Sequence, residues 1–136
     1  MQRHQLRVST SGKGLVDITD EIQEWLKAAP IQEGMLNVYL HHTSASLAIN
    51  EGADPRVGDD LENWLNREVV DGDAIFTHRE EGEDDMSAHV RVALTSVSLN
   101  IPVIDHALAL GKWQRVFLWE HRHGPMERDI TLTLWN

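Results

Sequence analysis

The segments QRVFLWEHR (residues 114–122) and ERDITLTLW (residues 127–135) decide how this chain folds. In the second, Ile130, Leu132 and Leu134 alternate with Asp129, Thr131 and Thr133, the period of two that marks a half-buried strand. The first concentrates Val116, Phe117, Leu118 and Trp119, residue types that suit a pleated surface. His123-Gly124-Pro125-Met126 separates them with turn residues, so the two strands are expected to form a terminal hairpin.

The same reading predicts strands over residues 5–10, 15–18, 35–41, 46–50 and 100–105, and a short one over 75–78. Residues 11–14 supply a turn after the first of these, so 15–18 is expected to return beside it. Pro102 lacks an N–H and marks its strand as an edge or a bulge. Three helices lie between strands. Thr19 can cap the first, which lines up Ile22, Trp25, Leu26 and Ala29. Asp54 stands at an N-cap with Pro55 at the first helical position, ahead of a stripe of Val57, Leu61, Trp64 and Leu65. Ser87 can cap the third, with Val90, Ala93, Leu94 and Val97 on one face. Residues 79–85 hold five carboxylates in seven positions and read as a mobile surface loop. The sum is one α+β domain over residues 1–136, dominated by antiparallel sheet in a sandwich-like arrangement, with about three helices.

Composition narrows the function. A chain of 136 residues fits one domain, long enough to bury about two-thirds of its unfolded surface. Twelve Lys+Arg against 22 Asp+Glu leave a formal charge of −10, which repels phosphate backbones and anionic lipid. Neither nucleic acid nor membrane is an expected partner. The polar start Met1-Gln2-Arg3-His4 is unlike a signal peptide, and no apolar run approaches the ~20 residues of a membrane span, so a cytoplasmic protein is expected. With no cysteine, disulfides, thiolate zinc sites and cysteine nucleophiles are excluded. Eight histidines stand against one tyrosine and two phenylalanines, which raises the expectation of imidazole chemistry. Among five tryptophans, Trp25 and Trp64 are assigned to the core. Trp113, Trp119 and Trp135 lie on strands and are free to pack a second sheet face or a subunit interface.

Several candidates could carry chemistry. His42 continues the apolar phase of Leu36, Val38 and Leu40, whereas His41 falls on the opposite face; a solvated pair ending a strand is the plainer reading. Asn50 and Glu51 close the next strand beside the positive end of a helix, a position that suits a base or simply a hydrated carboxylate. Asp60 lies at the border of the second helix's apolar stripe. His42, His78 and His89 come from three segments and together offer three imidazoles to a zinc-like divalent ion, without a compact spacing motif. Glu120 and Arg128 lie on core-side rows of the last two strands, as an ion pair or as a clamp for an anionic substrate.

Taken in order, HHTSASLAINE (residues 41–51), Asp60, His78, MSAHV (86–90), NIPV (100–103) and LALGKWQRVFLWE (108–120) resemble the YjbQ-like family. The resemblance runs from about residue 6 to 134. It implies a sandwich-like antiparallel fold, a homotrimer, and a cleft of histidines and carboxylates at a subunit boundary. On matching positions it makes His42, Glu51, His78 and His89 the leading site residues, with Ser44, Asn50 and Asp60 in support. Some members are labelled secondary thiamine-phosphate synthases, which implies a small, phosphorylated substrate. For such a transferase, Thr43, Ser44 and Arg128 would hold phosphate oxygens. Magnesium, the usual partner of diphosphate, prefers oxygen ligands, whereas imidazoles suit zinc, so a metal-dependent hydrolase is the neighbouring expectation. A trimeric protein that binds a metabolite without reacting is the alternative of a different class. The chain departs from the family pattern at Lys112, where Thr is common, at Met86-Ser87, and over residues 121–125, which lack an acidic-Gly-basic turn.

Overall fold

The alternation in the last segment becomes β8 (Met126–Trp135), in which Ile130, Leu132 and Leu134 are fully buried and Thr131 and Thr133 face outward. In the computed structural model, which describes residues 1–136, β8 pairs antiparallel with β1 (Gln2–Thr10) on one side and β3 (Gly34–Leu40) on the other. β5 (Ser98–Ile104) and the two-residue β6 (Ala107–Leu108) extend this sheet to five strands, in the order β1-β8-β3-β5-β6. A second, three-stranded sheet has the order β2-β7-β4, built from β2 (Gly14–Asp17), β7 (Gln114–Glu120) and β4 (Ala45–Glu51).

The two sheets share one core. Leu36, Val38, Leu40, Ile101, Val103, Ile130, Leu132 and Leu134 of the larger sheet belong to the same buried cluster as Ala45, Leu47, Val116 and Leu118 of the smaller. Each buried aliphatic side chain there contributes roughly 1.5–3 kcal/mol over exposure. α1 (Thr19–Ala28) adds Ile22 and Leu26 to that core. The far face of the small sheet is covered by α2 (Pro55–Glu68) and α3 (Glu83–Leu94): Trp119, Leu65 and Val69 pack together there, with Leu61 and Val90 against them. The expected α+β, antiparallel, sandwich-like fold with three helices is therefore what the chain forms. None of the helices is long and apolar enough to cross a membrane.

Several local expectations are corrected. β7 and β8 form no hairpin; they lie in different sheets, and residues 121–125 cross between layers. The reason is legible in composition: Val116-Phe117-Leu118-Trp119 is a continuous apolar run buried on both faces, the mark of a strand sandwiched between layers. β1 and β2 are separated in the same way, with Gly12 and Gly14 at positive φ where the chain changes sheet. Residues 75–78 form no strand, because Asp73 accepts from the Ile75 N–H and Arg79 donates to the Phe76 and Asp73 carbonyls, which closes a turn. Thr19 lies inside α1 and its hydroxyl accepts the Val116 N–H (2.8 Å), while Asp17 takes the Thr19 N–H. Trp64 is 53% exposed and is no core residue. Asp54 caps α2 as expected, accepting the Arg56 N–H at 2.9 Å with Pro55 at the first position.

α3 is the correction that matters for function. It starts at Glu83, not near Ser87, so the acidic stretch forms its first turn. Glu83, Asp84 and Asp85 there complement the positive end of the helix.

Candidate metal centre

Because α3 begins early, Asp85 and His89 are four residues apart on one helix and share a face. His78, in the turn that precedes the helix, closes on them. Asp85 Oδ2 lies 2.8 Å from His78 Nε2 and 3.0 Å from His89 Nε2, and the three donor atoms all lie within 4.8 Å of one another. Asp85 is 2% exposed, while the His78 side chain is 41% exposed, so the cluster sits at the surface with its carboxylate buried.

The tautomer of His89 is fixed by its surroundings. Its Nδ1–H donates to the Thr43 carbonyl at 2.7 Å, since a carbonyl only accepts. In the neutral ring Nε2 then carries a lone pair, aimed at a carboxylate oxygen 3.0 Å away. Two acceptors at that distance require a cation between them, either a proton on the ring or a metal ion. A ring N–H spent on a backbone carbonyl is the usual way a ligating histidine is oriented. Tetrahedral zinc, with bonds of about 2.0–2.1 Å, holds its donors about 3.3 Å apart. The two spacings at Asp85 would open by about 0.3–0.5 Å toward that value, and the two imidazole nitrogens, within 4.8 Å of each other, would adjust to the same distance. Two imidazoles and a carboxylate also form a set used by zinc and iron(II), less suited to magnesium.

The charges within the cluster offset one another. The hydrogen bond to Asp85 raises the His78 pKa. Burial works against ionisation of Asp85, but the hydrogen bond from His78 and the charge of Arg122 win, and its pKa lies below the ordinary value. Next to this cluster, Asp71 accepts from Lys13 Nζ (2.6 Å), His123 Nε2 (3.0 Å) and the buried Ser87 hydroxyl.

Residues 4–136 match the family described as UPF0047 protein YjbQ-like. The chain belongs to that family. Among its YjbQ-like relatives, a UPF0047 protein of Synechocystis is 42% identical over 131 residues, covering 95% of this chain and 89% of the relative. The UPF0047 protein YjbQ of Salmonella typhimurium is 41% identical over 130 residues, covering 95% of this chain and 94% of the relative. Among solved structures, a hypothetical protein of Aeropyrum pernix K1 superposes with a TM-score of 0.90 at 31% identity, covering 100% of this chain and 99% of that one. These names carry no activity.

Of the YjbQ-like site residues expected from the sequence, the structure brings together His78 and His89 but not His42. His42 Nε2 accepts the Asp129 N–H at 2.7 Å, so that lone pair is spent within the fold and is not offered to the cluster. Burial and the nearby Arg128 charge lower its pKa. Thr43 enters through its carbonyl, not its hydroxyl. Glu51 stands elsewhere: its Oε2 accepts the Asp54 N–H at 3.0 Å at the start of α2, and it lines a separate cleft of about 390 Å³ with Lys13, Asp17, Asp59 and Glu62. Asn50 Oδ1 accepts the Glu51 N–H, which ties down the strand end. Asp60 is exposed on α2. Glu120 and Arg128 do meet, but each other: Arg128 Nε lies 2.8 Å from Oε1 and Nη2 2.5 Å from Oε2, with both side chains buried. Arg128 Nη2 also donates to Ser44 Oγ at 2.9 Å, and Ser44 is itself buried.

Sequence reading missed Asp85 and Arg122. Asp85 carried a signal: an acidic run directly before an amphipathic segment is the composition of a helix start. Read that way, Asp85-x-x-x-His89 becomes an i,i+4 pair of ligand-type residues on one helix face. Arg122 carried none, because its contact with α3 spans 37 residues of sequence.

Proposed function

We propose that the protein is a metal-dependent enzyme acting on a small metabolite, with one zinc-like divalent ion held by His78, Asp85 and His89. The observation that carries this reading is the His89 ring: Nδ1 committed to the Thr43 carbonyl, Nε2 aimed at Asp85 Oδ2 3.0 Å away. When bound, such an ion supplies Lewis acidity and lowers the pKa of a water that it holds. The chain's own groups then do the rest. Asp85 and the two imidazoles fix the place of the ion, and Arg122 and the Thr43 carbonyl hold two of them in position.

Hydrolysis fits these residues better than synthase-type transfer. Diphosphate release calls for magnesium-type oxygen ligands and free phosphate-binding cations. Here Arg128 is closed onto Glu120 and Ser44 is buried, which leaves two of the three proposed phosphate holders engaged within the protein. We also infer a homotrimer, in keeping with the exposure of Trp113 (55%), Trp135 (40%) and Tyr39 (44%).

The test is turnover on a panel of small phosphate and carboxylic esters, before and after dialysis against a chelator, with zinc then restored. Hydrolysis lost to the chelator and recovered with zinc is expected. Hydrolysis indifferent to the chelator contradicts metal dependence.

A further inference from the structure

We propose that Arg122 is the positioning residue of this centre, fixing Asp85 as a one-oxygen ligand and thereby setting the affinity for the ion. This rests on the metal reading above and goes beyond it. Arg122 follows β7, in the segment that crosses to the larger sheet, and its side chain is 16% exposed. Its guanidinium grips the start of α3 at three points. Nη1 donates to Asp85 Oδ1 at 2.7 Å, Nε to Asp84 Oδ2 at 3.1 Å, and Nη2 to the Glu81 carbonyl at 2.9 Å. The root of the side chain is also held, because the Arg122 N–H donates to Glu120 Oε2 at 3.1 Å. Glu120 in turn is locked by Arg128, so the chain of contacts runs from the buried ion pair between the sheets to the candidate ligand.

The consequence follows from the two oxygens of one carboxylate. The terminal torsion of aspartate is soft and roughly two-fold, so an unrestrained Asp85 could turn either oxygen, or both, to the ion. With Oδ1 held by a charge-assisted hydrogen bond, only Oδ2 faces the histidines. A planar, forked cation suits this task better than lysine, whose single ammonium cannot span Asp84, Asp85 and a carbonyl together.

The experiment uses the full chain and zinc alone, with affinity read by competition against a chromophoric chelator and folding checked by urea melts. Partners that orient a metal ligand are typically worth about 10–100-fold in affinity, so Arg122→Gln should weaken zinc binding by that order. Arg122→Lys should recover part of the loss. With cobalt(II) in place of zinc, Arg122→Gln should also lose visible absorption intensity as Asp85 turns both oxygens to the ion and coordination number rises. A merely structural role would leave that spectrum unchanged. Wild-type protein that binds zinc beside an Arg122→Gln variant with equal affinity and an unchanged cobalt spectrum overturns the role of Arg122 and leaves the metal reading standing. Wild-type protein that fails to bind either ion overturns both. If Arg122→Gln loses its cooperative melt, Arg122→Lys decides alone: reduced affinity supports the proposal and wild-type affinity overturns it.

Discussion

Lowering the pH should destabilise this protein through one residue above others, His121. The residue is fully buried, its Nε2 is 2.9 Å from Ser46 Oγ, and its Nδ1 has no partner. Burial, reinforced by the Arg91 charge, pushes its pKa down from 6.5 to about 3. In the folded protein the ring therefore stays neutral, while the unfolded chain takes up a proton once the pH falls below its ordinary value. Stability is complete above that value and is lost as the pH falls from 6.5 toward 3. Each pKa unit is worth about 1.4 kcal/mol, so the whole interval amounts to about 5 kcal/mol, a large share of a typical folding free energy. The perturbation is His121→Gln, whose amide can still bond Ser46 but does not titrate. Urea unfolding of both proteins between about pH 7 and pH 4 gives two stability curves, and their difference cancels the carboxylates common to both. That difference should fall by about 1.4 kcal/mol per pH unit below the ordinary histidine pKa. Parallel curves would refute the claim that His121 is held neutral by burial.

Removing one partner of the buried Glu120–Arg128 pair should cost about 3–5 kcal/mol, as Arg128→Ala measured by urea melts, because it leaves a carboxylate buried without its countercharge. Replacing both residues with apolar ones should cost much less. Glu51→Gln should leave zinc affinity within about two-fold of wild type in chelator competition, since Glu51 lines a cleft apart from His78, Asp85 and His89; a loss near the 10–100-fold expected of a ligand-orienting group would place it in the proposed centre after all. Light scattering should give three times the 15.5 kDa chain mass, and a monomer at micromolar concentration would contradict the trimer.

Legibility followed the kind of pattern involved. Strict alternation placed β8, and the Asp54-Pro55 signal placed the start of α2, because both are local. Which sheet a strand joins is a non-local fact. The turn chemistry of residues 123–126 suited a hairpin equally well, and only burial of both faces of β7 separates it from β8. At the site, residue type pointed to His78 and His89, which the structure brings together, while His42, named with them, is not part of that cluster. Phase along β3 correctly set His42 apart from His41, but phase cannot tell that the Asp129 N–H takes its nitrogen. Asp85 was hidden by a run of charge that composition assigns to loops and that the helix N-terminus in fact stabilises.

Equilibrium dialysis against zinc, followed by metal analysis of the wild type and of His89→Ala, tests the central claim most directly. One zinc per chain in the wild type, with affinity reduced by more than about 100-fold in His89→Ala, is the predicted result, since a ligand should matter more than the groups that orient it. Zinc bound equally well by both proteins, or by neither, would contradict a metal centre at His78, Asp85 and His89.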